Sequence, residues 1–270
     1  NWKKAMVNKY NNLLLKNGYF IYKIKNKKSL INLRNFIYSN SKKILKVGGK
    51  ENYFFNKFHK YEKNKKDLND FRFKIMQRIN NKFFGAQCGY EIFSEIIHQL
   101  FGPDIVAQKN INLVIQKPED DTQITVHRDA PPNSLYEIVV WVPLTSTYKT
   151  KNMFILDKKN TKKALSSLRN STKKNSDKKT TMSNFFDFAF KKSNKHNLKF
   201  GEALLFWAPL IHCVPKNIEK ETRWSLNFRF KNMFSPYGTK GFIDYFKTSN
   251  LSSITKLALE KKGENLFDKN

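Results

Sequence analysis

The sequence is short of cysteine, acidic side chains and arginine, and it has no long apolar run. Two cysteines, Cys88 and Cys213, stand in 270 residues. They form no CxxC zinc pattern and are too few for a disulfide framework, which predicts free thiols in a reducing, cytoplasmic setting. No stretch reaches the ~18 consecutive apolar residues of a membrane helix, so no membrane partner is expected. The first twenty residues, NWKKAMVNKYNNLLLKNGYF, lack the apolar core and cleavage site of an export leader and read as an amphipathic helix. Acidic residues number 22 against 51 basic ones, and the formal charge of +29 by itself points toward a polyanion. Only seven of the basic residues are arginine, however, and the lysines are interleaved with Asn, Ile and Phe, the mixture that AT-rich codons write. Nucleic acid therefore stays open as a partner without being favoured.

Against these shortages, 40% of the chain is hydrophobic and 24 residues are Phe, ample for a sizeable core. Apolar spacing predicts helices over residues 2–16, 29–45, 67–80 and 90–102, with a short strand at 19–24. Ser29 is the expected N-cap of the second helix and Gly48-Gly49 its stop. From residue 104 the pattern turns to β, with strands predicted at 104–116, 122–127, 137–143, 152–156, 199–212 and 222–230. Residues 157–197 are Lys/Ser/Asn-rich and read as an inserted flexible lid with a short helix around MSNFFDFAF. The tail reads as irregular, then helical. Helices followed by short antiparallel strands predict an α+β fold whose sheets form a sandwich or barrel. The expected organisation is one domain: a mainly helical part over 1–103, a β core over 104–245 carrying the insertion, and a tail over 246–270.

The β half also holds the chemistry. In ITVHRDAPPNSLYEIVVWVPL, residues 124–144, a strand ends on His127 and Asp129. Residues two apart on extended chain point to one side, so both side chains can face one point. Among the other histidines, His59 and His98 lie in the helical half, His196 lies in the insertion, and His212 ends a buried strand of the β half. Two histidines and a carboxylate with open positions form the facial triad of non-haem Fe(II) oxygenases. In such enzymes 2-oxoglutarate and O2 take the open positions, and the far carboxylate of 2-oxoglutarate calls for a buried cation, best an arginine. Arg223 lies eleven residues after His212, at the start of RWSLNFRF. That strand alternates, with Arg223, Ser225, Asn227 and Arg229 on one face and Trp224, Leu226, Phe228 and Phe230 on the other.

Three blocks carry a family resemblance: residues 107–156 (AQKNINLVIQ through NMFIL), GEALLFWAPLIHC and ETRWSLNFRFKNMFSPYGTK. Over about residues 52–245 the chain resembles the Fe(II)/2-oxoglutarate oxygenases of carbohydrate-biosynthesis gene clusters. Those are StrG-like proteins, more distantly similar to phytanoyl-CoA hydroxylase. The resemblance implies a double-stranded β-helix core, jelly-roll or cupin-like, with N-terminal helices packed on it. It matches His127, Asp129 and His212 to the iron ligands and Arg223 to the oxoglutarate-binding arginine, with Ser225 beside it and Arg229 in support. Gln116 and Asn112, on the preceding strand, become candidate cosubstrate contacts. Gln108, Arg128, Lys151 and Asn227 become candidate substrate contacts, with Lys149, Lys151 and Arg128 suited to a phosphate or carboxylate. The implied cofactors are Fe(II) and 2-oxoglutarate, with O2. The implied reaction hydroxylates or otherwise oxidises a small polar substrate, a sugar or sugar-nucleotide. Arg128, Ala130-Pro131-Pro132 and the basic insertion depart from the family pattern at the expected substrate mouth. RWSLNFR also echoes the RxNxTxR strand of AlkB-like nucleic-acid demethylases, and a non-catalytic jelly-roll binding protein is the other alternative. Oligomeric state is not legible.

Overall fold

A computed structural model of the protein describes residues 9–62, 65–121, 126–129, 133–173 and 177–260. The start of the first predicted helix, most of the strand predicted at 122–127, and the Ala130-Pro131-Pro132 turn lie outside the described residues.

The N-terminal part is helical: α1 (Lys9–Asn17), α2 (Lys27–Leu45), α3 (Glu51–Asn56), α4 (Lys65–Phe83) and α5 (Gly85–Phe101), with β1 (Tyr19–Lys23) between the first two. Leu30, Leu33 and Ile37 form the buried stripe of α2. Its cap is Asn26 rather than Ser29, because the Asn26 side chain accepts the Ser29 N–H. Lys46, in the left-handed region at φ 53°, ends the helix before the two glycines are reached. Helix α5 starts tight against the turn at residues 109–111, where a Cβ on Gly85 would come within 2.5 Å of the Lys109 carbonyl oxygen.

The strands are β2 (Ile105–Gln108), β3 (Asn112–Gln116), β4 (Val126–His127), β5 (Ile138–Pro143), β6 (Phe154–Ile155), β7 (Asn194–Lys195), β8 (Glu202–Trp207), β9 (His212–Cys213), β10 (Arg223–Asn232) and β11 (Phe246–Asn250). Two segments read as single strands are each broken. The 104–116 run divides into β2 and β3, which pair one after the other along the same edge of β10. The 199–212 run stops at Trp207, where Ala208-Pro209 cannot continue a ladder, and resumes as β9 in a different sheet.

The larger sheet runs β1-β8-β5-β10-β2-β11, with β3 also on β10, and the smaller runs β4-β9-β6-β7; all these pairings are antiparallel. One edge strand of the larger sheet comes from the helical part and the other from the tail, where no strand was expected. The outer face of the larger sheet packs on the helices. Trp224 is completely buried there, with Phe58 and Phe55 edge-on at 4.9 and 5.1 Å. Each such ring pair adds about 1 kcal/mol beyond area burial. The inner face turns toward the smaller sheet and shares Val139, Trp141, Leu204 and Phe206 with Met153, Ile155 and Leu198.

The insertion is not the flexible lid expected. It folds as α6 (Lys158–Lys173) and α7 (Lys178–Lys192), two packed helices. Ala164 and Ala189 are buried with Leu156 and Ile211, and Leu165, Phe185, Phe188 and Val126 close around them. The small residues let the hairpin approach the smaller sheet closely. Cys88 and Cys213 are both free and buried, and no described helix is long and apolar enough to cross a membrane.

Candidate metal centre and cavity

The break after Trp207 creates the site. It moves His212 into the smaller sheet, where β9 pairs with β4 so that His212 stands directly opposite His127. The two imidazole centroids are 4.3 Å apart. Asp129 follows two residues on, with its N–H donating to Ala208 O and its carbonyl accepting from Asn133 N–H, each at 3.0 Å. Its Oδ1 lies 3.9 Å from His127 Nε2, and its Oδ2 lies 4.0 Å from His212 Nε2. One ligand atom from each of the three falls within 4.8 Å of the others, the only such His/Cys/Asp/Glu group among the described residues.

Protonation favours ligation. His212 Nδ1 sits 3.0 Å from the Leu210 carbonyl oxygen, so it carries the proton and leaves the Nε2 lone pair toward the site. Burial pushes the His212 pKa down to about 4 against the pull of Asp129, which keeps the ring neutral. Burial opposes ionisation of Asp129 as well, but the Arg229 guanidinium bonded to it outweighs burial and holds the carboxyl below its usual range.

Between the sheets lies a cavity of about 420 Å³ that these residues share with Arg223, Ser225, Asn227, Arg229 and Asn112. Its remaining walls are Val114, Val139, Trp141, Met153, Phe206 and Val214. Arg223 is 0% exposed, and none of its three side-chain nitrogens has a hydrogen-bond partner. Burial pulls its pKa down to about 10, opposed by Asp120. The Ser225 hydroxyl is buried and unpartnered too. A buried guanidinium that makes no hydrogen bond costs several kcal/mol unless a ligand supplies the acceptors. Asn112 and Asn227 are direct cross-strand partners, both lining the cavity, and neither side chain is hydrogen-bonded among the described residues.

Other expected contacts are placed differently. Arg229 lines the cavity but is bound to Asp129, with Nη2 to Oδ2 at 2.8 Å, so it is not a free second anchor for 2-oxoglutarate. Gln116 stands opposite Arg223 in register but donates to Pro215 O at 2.8 Å and Asp120 O at 3.3 Å. Gln108 donates to Asn110 O at 2.6 Å and does not line the cavity. Lys151 is completely buried and pairs with Glu221 at 2.9 Å and Asn56 at 3.0 Å, which makes it a structural cation and not a substrate contact. Arg128 is half-buried and Lys149 exposed, and neither lines the cavity.

Sequence reading missed Glu137. Its buried carboxylate lies 3.7 Å from Arg229 Nη1 and accepts the Ser134 N–H at 2.8 Å. Burial raises its pKa, against the pull of the Ser134 N–H and Arg229. A lone acid before an apolar strand gives no local sign of a partner 92 residues away.

No family model matches the chain, and no curated protein matches it by sequence. Solved structures of similar fold are found. One is a non-haem monooxygenase, ThoJ, as its nickel complex, at 15% identity and TM-score 0.53, over 89% of this chain and 83% of that one. Another is HygX from Streptomyces hygroscopicus with nickel and 2-oxoglutarate bound, at 8% identity and TM-score 0.50, over 89% and 92%. At these identities the likeness is one of fold.

Proposed function

We propose that the chain is an Fe(II)- and 2-oxoglutarate-dependent dioxygenase that oxidises a small polar molecule of the carbohydrate class. On this reading the two facing sheets are a double-stranded β-helix core. The observation that carries it is one cavity holding both a His/Asp/His donor set and an arginine buried without a partner. Two imidazoles and a carboxylate suit Fe(II). The nickel- and 2-oxoglutarate-bound structure of similar fold supports the same pairing of ligands.

His127, Asp129 and His212 would hold the metal, and Arg223 with Ser225 would hold the far carboxylate of 2-oxoglutarate. When bound, such a centre couples decarboxylation of 2-oxoglutarate to succinate and CO2 with transfer of one atom of O2 into a substrate C–H bond. The apolar walls, Val114, Val139, Met153, Phe206 and Val214, exclude water from that step. The paired amides of Asn112 and Asn227 each offer donors and an acceptor, the complement of vicinal hydroxyls on a sugar or sugar-nucleotide. A nucleic-acid demethylase is not favoured, since the second arginine of the RWSLNFR strand is engaged by Asp129 and Lys151 is paired.

The test is succinate release from 2-oxoglutarate with Fe(II), ascorbate and a panel of sugars, sugar-nucleotides and methylated oligonucleotides. The expected result is turnover stimulated by a sugar-class compound and lost in His127→Ala. Turnover that persists in His127→Ala would remove the proposal.

A further inference from the structure

We propose that Arg229 is the positioning residue of the metal centre: it holds one oxygen of Asp129, leaves the other to the ion, and is itself held by Glu137. The proposal rests on reading His127, Asp129 and His212 as metal ligands. A carboxylate on a short side chain can rotate and offer either oxygen, or both, to a metal. Here Arg229 Nη2 takes Oδ2 at 2.8 Å, while Oδ1 is the oxygen facing His127. The guanidinium thereby sets both the rotation of the carboxylate and the number of oxygens left for coordination.

The arginine can act as a strut because its strand and the acid behind it are anchored. It projects from β10, the central strand, which is paired along both edges. Its other amino group faces the buried Glu137 carboxylate at 3.7 Å, an ion pair too long for a hydrogen bond, and Glu137 Oε1 accepts the Ser134 N–H at 2.8 Å. Ser134 Oγ donates to the Pro236 carbonyl at 2.5 Å, and the buried Lys231 ammonium donates to that same carbonyl at 2.6 Å and to Ser235 O at 2.9 Å. Strand β10, the turn before β5 and the loop after β10 therefore converge behind a single metal ligand. A planar guanidinium can address two carboxylates at once, which a lysine at this position cannot do with fixed geometry.

Two effects of Arg229 oppose each other. Its charge repels a divalent ion, whereas its hydrogen bond pre-orients the ligand. Outer-shell partners of this kind are typically worth about 10- to 100-fold in metal affinity, so orientation is taken to win. The experiment is Mn(II) titration calorimetry, with Co(II) visible absorption alongside, on the wild type, Arg229→Met, Arg229→Gln and Glu137→Gln, each checked by thermal melting. Arg229→Met is expected to lose about tenfold or more in Mn(II) affinity and to change the Co(II) spectrum. Arg229→Gln, which keeps an N–H for Oδ2 without the charge, is expected to recover most of the affinity and the wild-type spectrum. Glu137→Gln is expected to fall between them. Arg229→Met binding Mn(II) as tightly as wild type overturns the proposal, and so does equal impairment of the Met and Gln variants. Should Arg229→Met not fold, Glu137→Gln decides: weakened Mn(II) binding supports the strut, and unchanged binding overturns it. A wild type that binds no Mn(II) overturns the metal reading itself and this inference with it.

Discussion

Arg223 and Arg229 stand six residues apart on the same face of β10, both lining one cavity, yet their surroundings are opposite. Arg223 is completely buried with every side-chain nitrogen unpartnered. Arg229 is tied to Asp129 at 2.8 Å and faces Glu137 at 3.7 Å. Composition and alternation treat the two alike; only the partners supplied by distant segments distinguish them. An arginine that the fold leaves unpaired at depth is a binding group waiting for an anion. One that the fold pairs is part of the frame. The cavity is thus divided into a ligand end and a scaffold end, with the metal ligands between sheets at its wall.

The largest effect is expected from the shared centre. His212→Ala and Asp129→Ala should reduce Mn(II) binding and 2-oxoglutarate turnover to background, by calorimetry and succinate assay. The contrast between the arginines is tested next. Arg223→Met should weaken 2-oxoglutarate binding by about 30-fold or more, the cost of removing one partner of a buried charge pair, while sparing Mn(II). In the absence of 2-oxoglutarate the same variant should melt above wild type, because an unpaired buried charge has gone. Arg229→Met should melt below wild type, since it leaves the Asp129 and Glu137 carboxylates without their cation. Both melting above wild type would erase the distinction. A smaller effect falls to the amides: Asn112→Ala or Asn227→Ala should raise KM for the oxidised substrate about fivefold, the worth of one neutral hydrogen bond, without changing 2-oxoglutarate affinity.

The smallest is a pH effect at the scaffold end. Burial lowers the Lys231 pKa from its ordinary 10.5 to about 8, opposed by Glu137. Between about 8 and 10.5 the unfolded chain binds the extra proton, so stability should rise with pH across that window and level off below about 8, where both states are protonated. Melting wild type and Lys231→Met at about pH 7.5 and about pH 9.5 should show the rise only in wild type.

The features legible in the sequence are those encoded locally. The i, i+2 spacing of His127 and Asp129, and the clean alternation of RWSLNFRF, need only strand geometry to be read. Helices α2, α4 and α5 are legible from apolar stripes such as Leu30, Leu33 and Ile37, whereas the short α3 carries no such stripe and is not expected. What was not legible depends on distant partners. Lys151 looks like any other cation of a Lys-rich chain until Glu221, 70 residues on, pairs with it. The insertion looked loose because its buried contacts are made mainly by alanines and a few phenylalanines set among lysines. Strand β11, FKTSN, has only Phe246 buried and owes its conformation to β2 beside it. Glu137 gave no sign because its partner lies on another strand.

The most direct measurement is a crystal structure with Mn(II) and 2-oxoglutarate under anaerobic conditions, located by the anomalous signal of the metal. The account places the ion on Nε2 of His127 and His212 and on one oxygen of Asp129, with the far carboxylate of the dicarboxylate on Arg223. Manganese outside those three side chains, or a dicarboxylate that leaves Arg223 unpaired, would contradict it.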